Sequence, residues 1–254
     1  MVWSLMAAVL SYLAVPVLLP IYRQQVVKNY LGELVPAGLG WAFLLPAVLV
    51  MLFSSGNSTY SLLLSLVLLF FAALGAVDDS FGNTGPKGWR GHFAASGLST
   101  GALKALGGGA CALAAAQIWS QGWLDLAVSA GLVALGANLL NLLDLRPGRA
   151  GKAFFLFSLP LHWAAREPLP LQVLSLSLLG YLPWDLRRKA MMGDTGANAL
   201  GAALGYCLAR ELSLALKIGL LAVLAALNFL SEWVSFSDLI EGSRLLRFLD
   251  KLGR

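Results

Sequence analysis

Two adjacent carboxylates, Asp78 and Asp79, lie where a long apolar segment, Tyr60 to Val77, gives way to a polar, glycine-rich stretch. An aspartate at the end of an apolar helix loses part of its hydration, and two neighbouring aspartates also repel each other. A divalent cation or a cationic ligand is the natural compensation for such a pair. The pair therefore predicts chemistry with metal ions or phosphate groups.

Asn138, Asn141 and Asp144 follow one another at intervals of three residues near the end of another apolar segment. Steps of three along an α-helix drift by only about 60°, so these side chains form one stripe that faces a neighbour or a ligand. The two asparagines could instead join helices by hydrogen bonds, as is common in membranes. The aspartate at the end of the stripe favours a binding site over this simpler interpretation.

Asp194 lies in the stretch Met192-Gly193-Asp194-Thr195-Gly196, directly before a further apolar run. The pattern predicts the start of a helix, and Asp194 could simply serve as its N-cap. A helix N-terminus flanked by glycines also lets phosphate and metal approach the backbone closely. Asp194 is therefore predicted to bind metal or take part in catalysis, with capping as the alternative.

Basic residues follow the aspartate pair in the polar stretch and the next apolar segment: Lys87, Arg90, His92 and Lys104. Lys and Arg are the usual partners of phosphate. Ordinary cytoplasmic charge explains Lys87 by itself better, whereas Lys104 must reach the interface or meet an anion. Because oxygen ligands dominate and no cluster has zinc spacing, Mg²⁺ or Mn²⁺ is the expected metal.

Hydrophobic residues make up 58% of the 254 residues and charged residues only 12%, with a mean hydropathy of +0.75. This composition excludes an ordinary soluble domain and predicts an integral membrane protein. The apolar stretches fit helices rather than a membrane barrel, so we predict an all-α, polytopic transmembrane helical bundle of about nine spans. The expected spans are Val2–Tyr22, Leu39–Phe53, Tyr60–Val77, Leu98–Trp119, Trp123–Leu143, Ala153–Ala165, Leu169–Leu186, Ala197–Leu208 and Leu212–Leu230.

Basic residues are concentrated in alternate connections between these spans, whereas the opposite connections contain only Arg166 and Arg210. The positive-inside rule then places the N-terminus outside and the C-terminus in the cytoplasm. The polar residues described above fall on the cytoplasmic side, so we expect them to form one site there. No segment resembles a nucleic-acid module. The sequence therefore predicts a multi-pass plasma-membrane protein with no nucleic-acid partner.

The chain divides into one membrane domain, residues 1–230, and a short tail, residues 231–254. Apolar residues recur in the tail at helical spacing, with Arg244, Arg247 and Lys251 among them, which predicts an amphipathic helix on the inner membrane surface. A solvated tail that packs on cytoplasmic loops is an equally good interpretation. Gly201 and Gly205 form a small-xxx-small pair, which more often reflects packing within one bundle than a dimer.

Four short motifs occur in order along the chain: Val35 to Gly40, Gly75 to Asp79, Asn138 to Asp144, and Met192 to Gly196. Together they resemble the polyprenyl-phosphate N-acetylhexosamine-1-phosphate transferases of glycosyl transferase family 4, a group that includes phospho-N-acetylmuramoyl-pentapeptide transferase. The resemblance implies a Mg²⁺-dependent enzyme for cell-envelope polysaccharide or peptidoglycan-type lipid intermediates. Such an enzyme transfers a sugar-1-phosphate from a UDP-sugar to a membrane polyprenyl phosphate and releases UMP. The resemblance also allows a homodimer.

The resemblance further assigns catalytic roles. Asp194 would bind Mg²⁺ on the pyrophosphate, and Asp78 and Asp79 would position metal or lipid phosphate. A phosphate monoester has its second pKa at about 6, so the lipid phosphate is mostly dianionic at neutral pH. Direct in-line attack then needs no strong base, with Asp79 available as a proton acceptor.

The remaining assignments concern the metal and the substrates. The implied metal ligands are Asp79, Asn141, Asp144 and Asp194. Asn138 would join Asn141 and Asp144 in binding the nucleotide-sugar. The implied phosphate-binding cations are Lys87, Arg90, His92, Lys104, Arg146 and Arg149.

The chain departs from the family pattern directly after Asp144. Familiar members read Asp-Gly-x-Asp-Gly from this position, whereas this chain continues Leu145-Arg146-Pro147-Gly148-Arg149, so that Pro147 replaces the second carboxylate. The added arginines predict either another phosphate contact or a different sugar. The histidine-rich cytoplasmic loop that many relatives carry late in the chain has no counterpart in this sequence.

Two other classes of membrane protein also use acids at an interface. A non-catalytic transporter or lipid-binding scaffold would use them as an ion or headgroup site, but a transporter should show a polar path through the bilayer, and these spans show almost none. A CDP-alcohol phosphatidyltransferase should carry Asp-Gly-x-x-Ala-Arg, which the sequence lacks. A transferase that works on one leaflet is the favoured interpretation.

Overall fold

The structure of the protein is a computed structural model that describes residues 1–56, 58–81 and 100–254, without the side chains of residues 100–104. The described chain is largely helical, which confirms the predicted all-α class. A 3₁₀ turn, Ile21–Gln24, follows the first helix. The α-helices are α1 (Val2–Leu18), α2 (Trp41–Ser54), α3 (Thr59–Phe81), α4 (Thr100–Gln117), α5 (Trp123–Leu143), α6 (Arg149–Ser158), α7 (Leu161–Ala164), α8 (Leu169–Leu186), α9 (Gly193–Glu211), α10 (Leu214–Leu230), α11 (Phe236–Gly242) and α12 (Arg244–Lys251).

A two-stranded antiparallel hairpin, β1 (Val26–Lys28) and β2 (Leu34–Pro36), is the exception among these helices. The Asn29 side chain shapes its turn, because Oδ1 accepts hydrogen bonds from the N–H groups of Leu31 and Glu33 at 2.8 and 3.0 Å. Asparagine readily makes such local turns. The sequence did not predict this hairpin, because strands this short carry little periodic pattern.

Helix α1 buries small side chains and exposes large apolar ones. Its buried residues are Ser4, Ala7, Ser11 and Val15. On its exposed surface, Val9, Leu13 and Val17 are 58%, 54% and 70% accessible. Such a surface is unusual in water. In lipid, small residues let helices pack closely while large apolar residues face the acyl chains.

Helices α3 and α5 are the two described helices that are long and apolar enough to cross a membrane. Other apolar helices are shorter, and α2, for example, has 14 residues. The predicted span Ala153–Ala165 is not one helix but two, α6 and α7. Pro160 lies at this break, and it lacks the N–H group that a continuous helix needs. The number of nine spans stays a prediction.

Helix α9 packs against both α3 and α5, and every residue from 195 to 207 is buried. Its contact with α5 depends on small residues. A Cβ on Gly201 would overlap the carbonyl oxygen of Gly136, and a Cβ on Gly205 would overlap that of Leu132. The small-xxx-small pair therefore packs within the bundle, in agreement with the sequence interpretation. This packing holds the beginning of α9 beside the ends of α3 and α5.

Candidate active site

The carboxylate of Asp79, on the last turn of α3, caps the N-terminus of α9. Its Oδ1 accepts a 2.9 Å hydrogen bond from the backbone N–H of Asp194. Its Oδ2 accepts two more, from the Thr195 backbone N–H at 2.9 Å and the Thr195 hydroxyl at 2.7 Å. The first N–H groups of a helix lack partners within it, and negative charge there is favourable. Asp79, rather than Asp194 itself, therefore supplies the cap.

Two glycines permit this contact between α3 and α9. Gly193 has a φ of +66°, and a Cβ there would lie 2.7 Å from the Asp79 carboxylate, so both the backbone and the space favour glycine. Gly75 lies one turn before Asp79, where a Cβ would overlap the Asp194 carbonyl group. The two motifs that contain these glycines are thus complementary in shape.

The Pro/Gly motif, Val35 to Gly40, reaches the same place through its backbone. The Met191 N–H donates to the Pro36 carbonyl at 2.8 Å, and the Leu39 N–H donates to the Met191 carbonyl at 3.0 Å. These bonds attach the end of the hairpin to the residues that precede α9. Three motifs that are distant in sequence therefore meet at the beginning of this helix.

Asn141 connects the remaining motif, Asn138 to Asp144, to Asp194 by a hydrogen bond. Its amide nitrogen Nδ2 donates to Asp194 Oδ2 at 3.1 Å. Asn198, one turn further along α9, donates from Nδ2 to the Asp194 carbonyl at 2.7 Å. The buried Oδ1 of Asn198 has no hydrogen-bond partner among the described residues. Asp194 is consequently oriented through both its backbone and its carboxylate.

Two further aspartates, Asp144 after α5 and Asp185 on α8, add negative charge near Asp194. Burial raises the pKa of Asp144 well above its usual range, and the charges of Asp185 and Asp194 raise it further. Asp185 is 3% exposed, and its Oδ2 accepts a 2.8 Å hydrogen bond from the Gly148 N–H. Such an accumulation of acids favours a bound cation.

A pocket of about 270 Å³ opens beside these acids. Its charged lining residues are Asp144, Asp185, Lys28, Arg146 and Arg188. The Arg146 guanidinium also lies over the ring of Tyr30, 4.2 Å from its centroid. A lining with both signs of charge suits an anionic ligand that arrives with a metal cation.

Asn138 bonds to helix α10. Its amide nitrogen donates to Oδ1 of Asn228 on α10 at 2.6 Å, and Asn228 donates in turn to the Leu224 carbonyl at 2.8 Å. A step of three residues rotates the side chain by about 60° around the helix axis. This rotation is enough to direct Asn138 toward α10 while Asn141 faces α9. Asn138 thus makes the interhelical hydrogen bond that was the simpler interpretation of the stripe.

Arg146 and Arg149 have carboxylate partners within the chain. Arg146 pairs with Glu241 at 3.1 Å, and Arg149 pairs with Asp250 at 2.8 Å. Both partners belong to the C-terminal tail. The structure therefore places these two arginines against the tail, and their predicted contact with phosphate stays a prediction.

Four predicted phosphate-binding cations fall outside the described side chains. Lys87, Arg90 and His92 lie within residues 82–99, and Lys104 lies on α4 among the residues without described side chains. Asp78 is half-buried beside Asp79 on α3. The roles assigned to these residues stay predictions.

Sequence reasoning gave no site role to Thr195 or Tyr181, and it placed Asp185 only among the acids expected to converge on the cytoplasmic face. Tyr181 is fully buried on α8, and its hydroxyl has no hydrogen-bond partner among the described residues. It lies within electrostatic reach of Asp185 and Asp144. The i, i+4 spacing of Tyr181 and Asp185 in an apolar helix was the available signal. Thr195 stood inside a recognised motif, but only its contact with Asp79 shows what it does.

The donor set fits Mg²⁺, although the described part of the chain holds no group of three or more His, Cys, Asp or Glu placed around one ion. Mg²⁺ is usually bound by one or two carboxylates, with substrate phosphates and water completing its shell. Asp194 and Asp144 could provide those carboxylates, with Asn141 as a neighbouring amide. A cation bound there would offset the repulsion among these acids when they ionise.

Fold and site together define a helical protein with an acidic, phosphate-compatible centre where several apolar helices end. The sequence model of glycosyl transferase family 4 matches residues 60–211, which is more than half of the chain. The chain therefore belongs to glycosyl transferase family 4. Membership points to a transferase and suggests that a sugar phosphate passes from a nucleotide-sugar to a lipid carrier. A comparison with curated proteins finds no match.

Proposed function

We propose that the protein transfers a sugar-1-phosphate from a UDP-sugar to a polyprenyl phosphate at the cytoplasmic face of the membrane, releasing UMP. The observation that carries this proposal is the convergence of Asp79 and Asn141 on Asp194 at the beginning of α9. A helix N-terminus surrounded by acids suits a pyrophosphate bound with Mg²⁺. The product is a lipid-linked pyrophosphate sugar for cell-envelope polysaccharide.

In this reaction an oxygen of the lipid phosphate attacks the sugar-linked phosphorus of the donor. The bond from that phosphorus to the oxygen that bridges it to the uridine-bearing phosphate breaks, and UMP leaves with this oxygen and its electron pair. A phosphate monoester with a second pKa of about 6 is mostly dianionic at neutral pH, so the nucleophile needs no strong base. The protein then contributes mainly orientation and charge stabilisation.

Asp194 and Asp144 would hold Mg²⁺, which when bound offsets the negative charge of the pyrophosphate. Asn141 orients the Asp194 carboxylate through its 3.1 Å hydrogen bond. Both carboxylate oxygens of Asp79 accept hydrogen bonds from the first turn of α9, which includes Thr195. We therefore assign Asp79 a positioning role in place of the expected proton acceptor.

The pocket beside Asp144 is the proposed site for the nucleotide part of the donor. Lys28 and Arg188 line it and could pair with donor phosphates. The lipid phosphate needs cations of its own near the membrane surface. Lys87 and Arg90, which follow the aspartate pair in sequence, are the proposed residues for that task.

A lipid acceptor requires the site to open at a membrane surface. We therefore assign the protein to the plasma membrane as a multi-pass protein of about nine spans, with its N-terminus outside and its site facing the cytoplasm. The large exposed apolar side chains support the placement in a membrane. Leu49 on α2 and Leu66 on α3, for example, are each 53% exposed.

Purified protein with undecaprenyl phosphate and Mg²⁺ provides the test, with a panel of UDP-sugars as donors. We expect UMP and a lipid-linked product from at least one UDP-N-acetylhexosamine. Chelation with EDTA should abolish both, and added Mg²⁺ or Mn²⁺ should restore them. UMP release that does not depend on the lipid would indicate hydrolysis instead. Absence of UMP release from every donor would contradict the proposal.

A further inference from the structure

The C-terminal tail, residues 231–254, is attached to the rest of the chain largely by polar contacts. Its two helices, α11 and α12, meet at Ser243, and neither contains a buried residue. A tail attached by apolar packing would bury its large side chains, whereas Leu245 and Phe248 are 66% and 64% exposed. The attachment therefore depends mainly on ion pairs and hydrogen bonds.

Asp250 is the centre of this attachment. Its two oxygens accept hydrogen bonds from Arg149 Nε at 2.8 Å and Nη2 at 3.1 Å, a bidentate arrangement that is geometrically specific. Arg254 donates to the same oxygens at 3.1 and 2.9 Å. Arg149 is only 4% exposed, and a buried guanidinium is costly unless it is paired. Asp250 is thus the counter-charge of Arg149.

Two further cations join the tail to residues 145–152. Arg254 Nε donates to the Pro147 carbonyl at 2.8 Å. Lys152 Nζ donates to three backbone carbonyls at and just beyond the end of α12. These carbonyls belong to Leu249, Asp250 and Leu252. Side-chain and backbone contacts therefore hold the same segment.

Residues 145–152 lead directly from Asp144 and form part of the candidate active site. Arg146 and Pro147 line the pocket together with Asp144. The Gly148 N–H donates to the Asp185 carboxylate at 2.8 Å. Asp185 and the tail thus hold this segment together.

Both arginines that depart from the family pattern have a tail acid as partner. Arg146 pairs with Glu241, and Arg149 pairs with Asp250. The tail lies outside the residues that the family model matches, which end at residue 211. In this chain, the arginines added after Asp144 therefore form ion pairs with acids that the tail supplies.

We propose that the C-terminal tail is a positioning element for the candidate active site, in which Asp250 acts through Arg149 on residues 145–152 beside the pocket. The inference rests on the proposed function. Arg149 directly follows Arg146, Pro147 and Gly148, of which the first two line the pocket and the third contacts Asp185. Without Asp250, the buried guanidinium loses its counter-charge, which is costly. Residues 145–152 then lose their fixed position beside the pocket.

Asp250→Asn tests this role, because it removes the counter-charge and keeps the side-chain size. UMP release should show a KM for the UDP-sugar raised by about tenfold and a kcat changed by less than about threefold. The matched control is Asp238→Asn, which alters an exposed acid of the same tail and should leave both constants unchanged. The double variant Arg149→Met/Asp250→Asn should behave like Arg149→Met alone, because the pair that fixes residues 145–152 is already lost in Arg149→Met.

Hydrogen exchange followed by mass spectrometry gives a readout that needs no activity. We expect faster exchange in residues 145–152 for Asp250→Asn and for truncation after Ser243, but not for Asp238→Asn. Unchanged exchange there in both altered tails would overturn the proposal. So would a double variant whose defect is the sum of the two single defects. Absence of UMP release from the wild type would overturn the proposed function, while the exchange experiment still tests the tail.

Discussion

The backbone N–H of Asp194 donates a 2.9 Å hydrogen bond to the carboxylate of Asp79, which lies 115 residues earlier in the chain. Both residues are aspartates of sequence motifs that predicted metal or phosphate chemistry. The contact gives them different tasks. Asp79 completes the N-terminus of α9, whereas the Asp194 carboxylate is oriented by Asn141. One aspartate therefore positions the other.

Replacing Asp79 with Asn should destabilise the protein. An amide has one acceptor oxygen, so its NH₂ group would face the N–H of Asp194 or the N–H and hydroxyl of Thr195. We expect the free energy of unfolding to fall by about 1–3 kcal/mol, measured by denaturant unfolding in detergent. Thr195→Val removes a single donor and should cost about 1 kcal/mol. An Asp79→Asn variant as stable as the wild type would show that the cap is unimportant.

Replacing Gly193 with Ala should also destabilise the protein. A positive φ strains any residue with a Cβ, and this Cβ would lie 2.7 Å from the Asp79 carboxylate. We expect a loss of about 1–3 kcal/mol in the free energy of unfolding. Gly219→Ala on α10 is the matched control, since nothing lies within 4 Å of a Cβ there. It should be neutral or stabilising by up to about 1 kcal/mol. Equal effects of the two changes would refute the close contact at Gly193.

Attachment of the tail should be insensitive to pH in the neutral range. Burial tends to raise the pKa of Asp250, but hydrogen bonds and charge from Arg149, with the charge of Arg254, hold it below its usual range. Burial lowers the pKa of Lys152, which contacts the Asp250 backbone, to about 8, so Lys152 adds positive charge there below that pH. Because the pKa of Asp250 is lowered in the attached state, its charge stabilises that state at every pH above the usual carboxyl pKa of about 3.9. This stabilisation is lost only as the pH falls through the lowered pKa.

Exchange of the α12 amides, corrected for its intrinsic pH dependence, measures this attachment. Protection should stay constant between about pH 5 and pH 7 and should decrease on the acid side only in stronger acid. Arg149→Met should decrease it at every pH, because the bidentate pair is then lost. A loss of protection near pH 6 in the wild type would show that a group other than Asp250 controls the tail.

The meeting of Asp79, Asn141 and Asp194 could be anticipated from the sequence, because each lies where an apolar segment begins or ends. Helix ends on one side of a bundle are neighbours whatever the details of packing. The family model confirms the membership in glycosyl transferase family 4 that these motifs predicted. Helix positions and the order of motifs are local information.

The partners of individual side chains could not be anticipated in this way. Asn138 and Asn141 differ by three residues, yet one meets α10 and the other meets Asp194. Which helix each faces depends on rotations set by distant packing. Arg149 likewise has charge that suits phosphate, and only the folded chain shows that Asp250 neutralises it. Such contacts are tertiary, and residue type and spacing do not specify them.

UMP release by Asp194→Asn, compared with the wild type and with Asp238→Asn, tests the central claim most directly. The assay contains undecaprenyl phosphate, Mg²⁺ and a UDP-sugar that the wild type accepts. Asparagine keeps the size of the side chain but removes the negative charge that would hold the cation. We expect kcat to fall by about 100-fold or more, with the free energy of unfolding changed by less than about 1 kcal/mol. An Asp194→Asn variant that releases UMP as fast as the wild type would contradict this account.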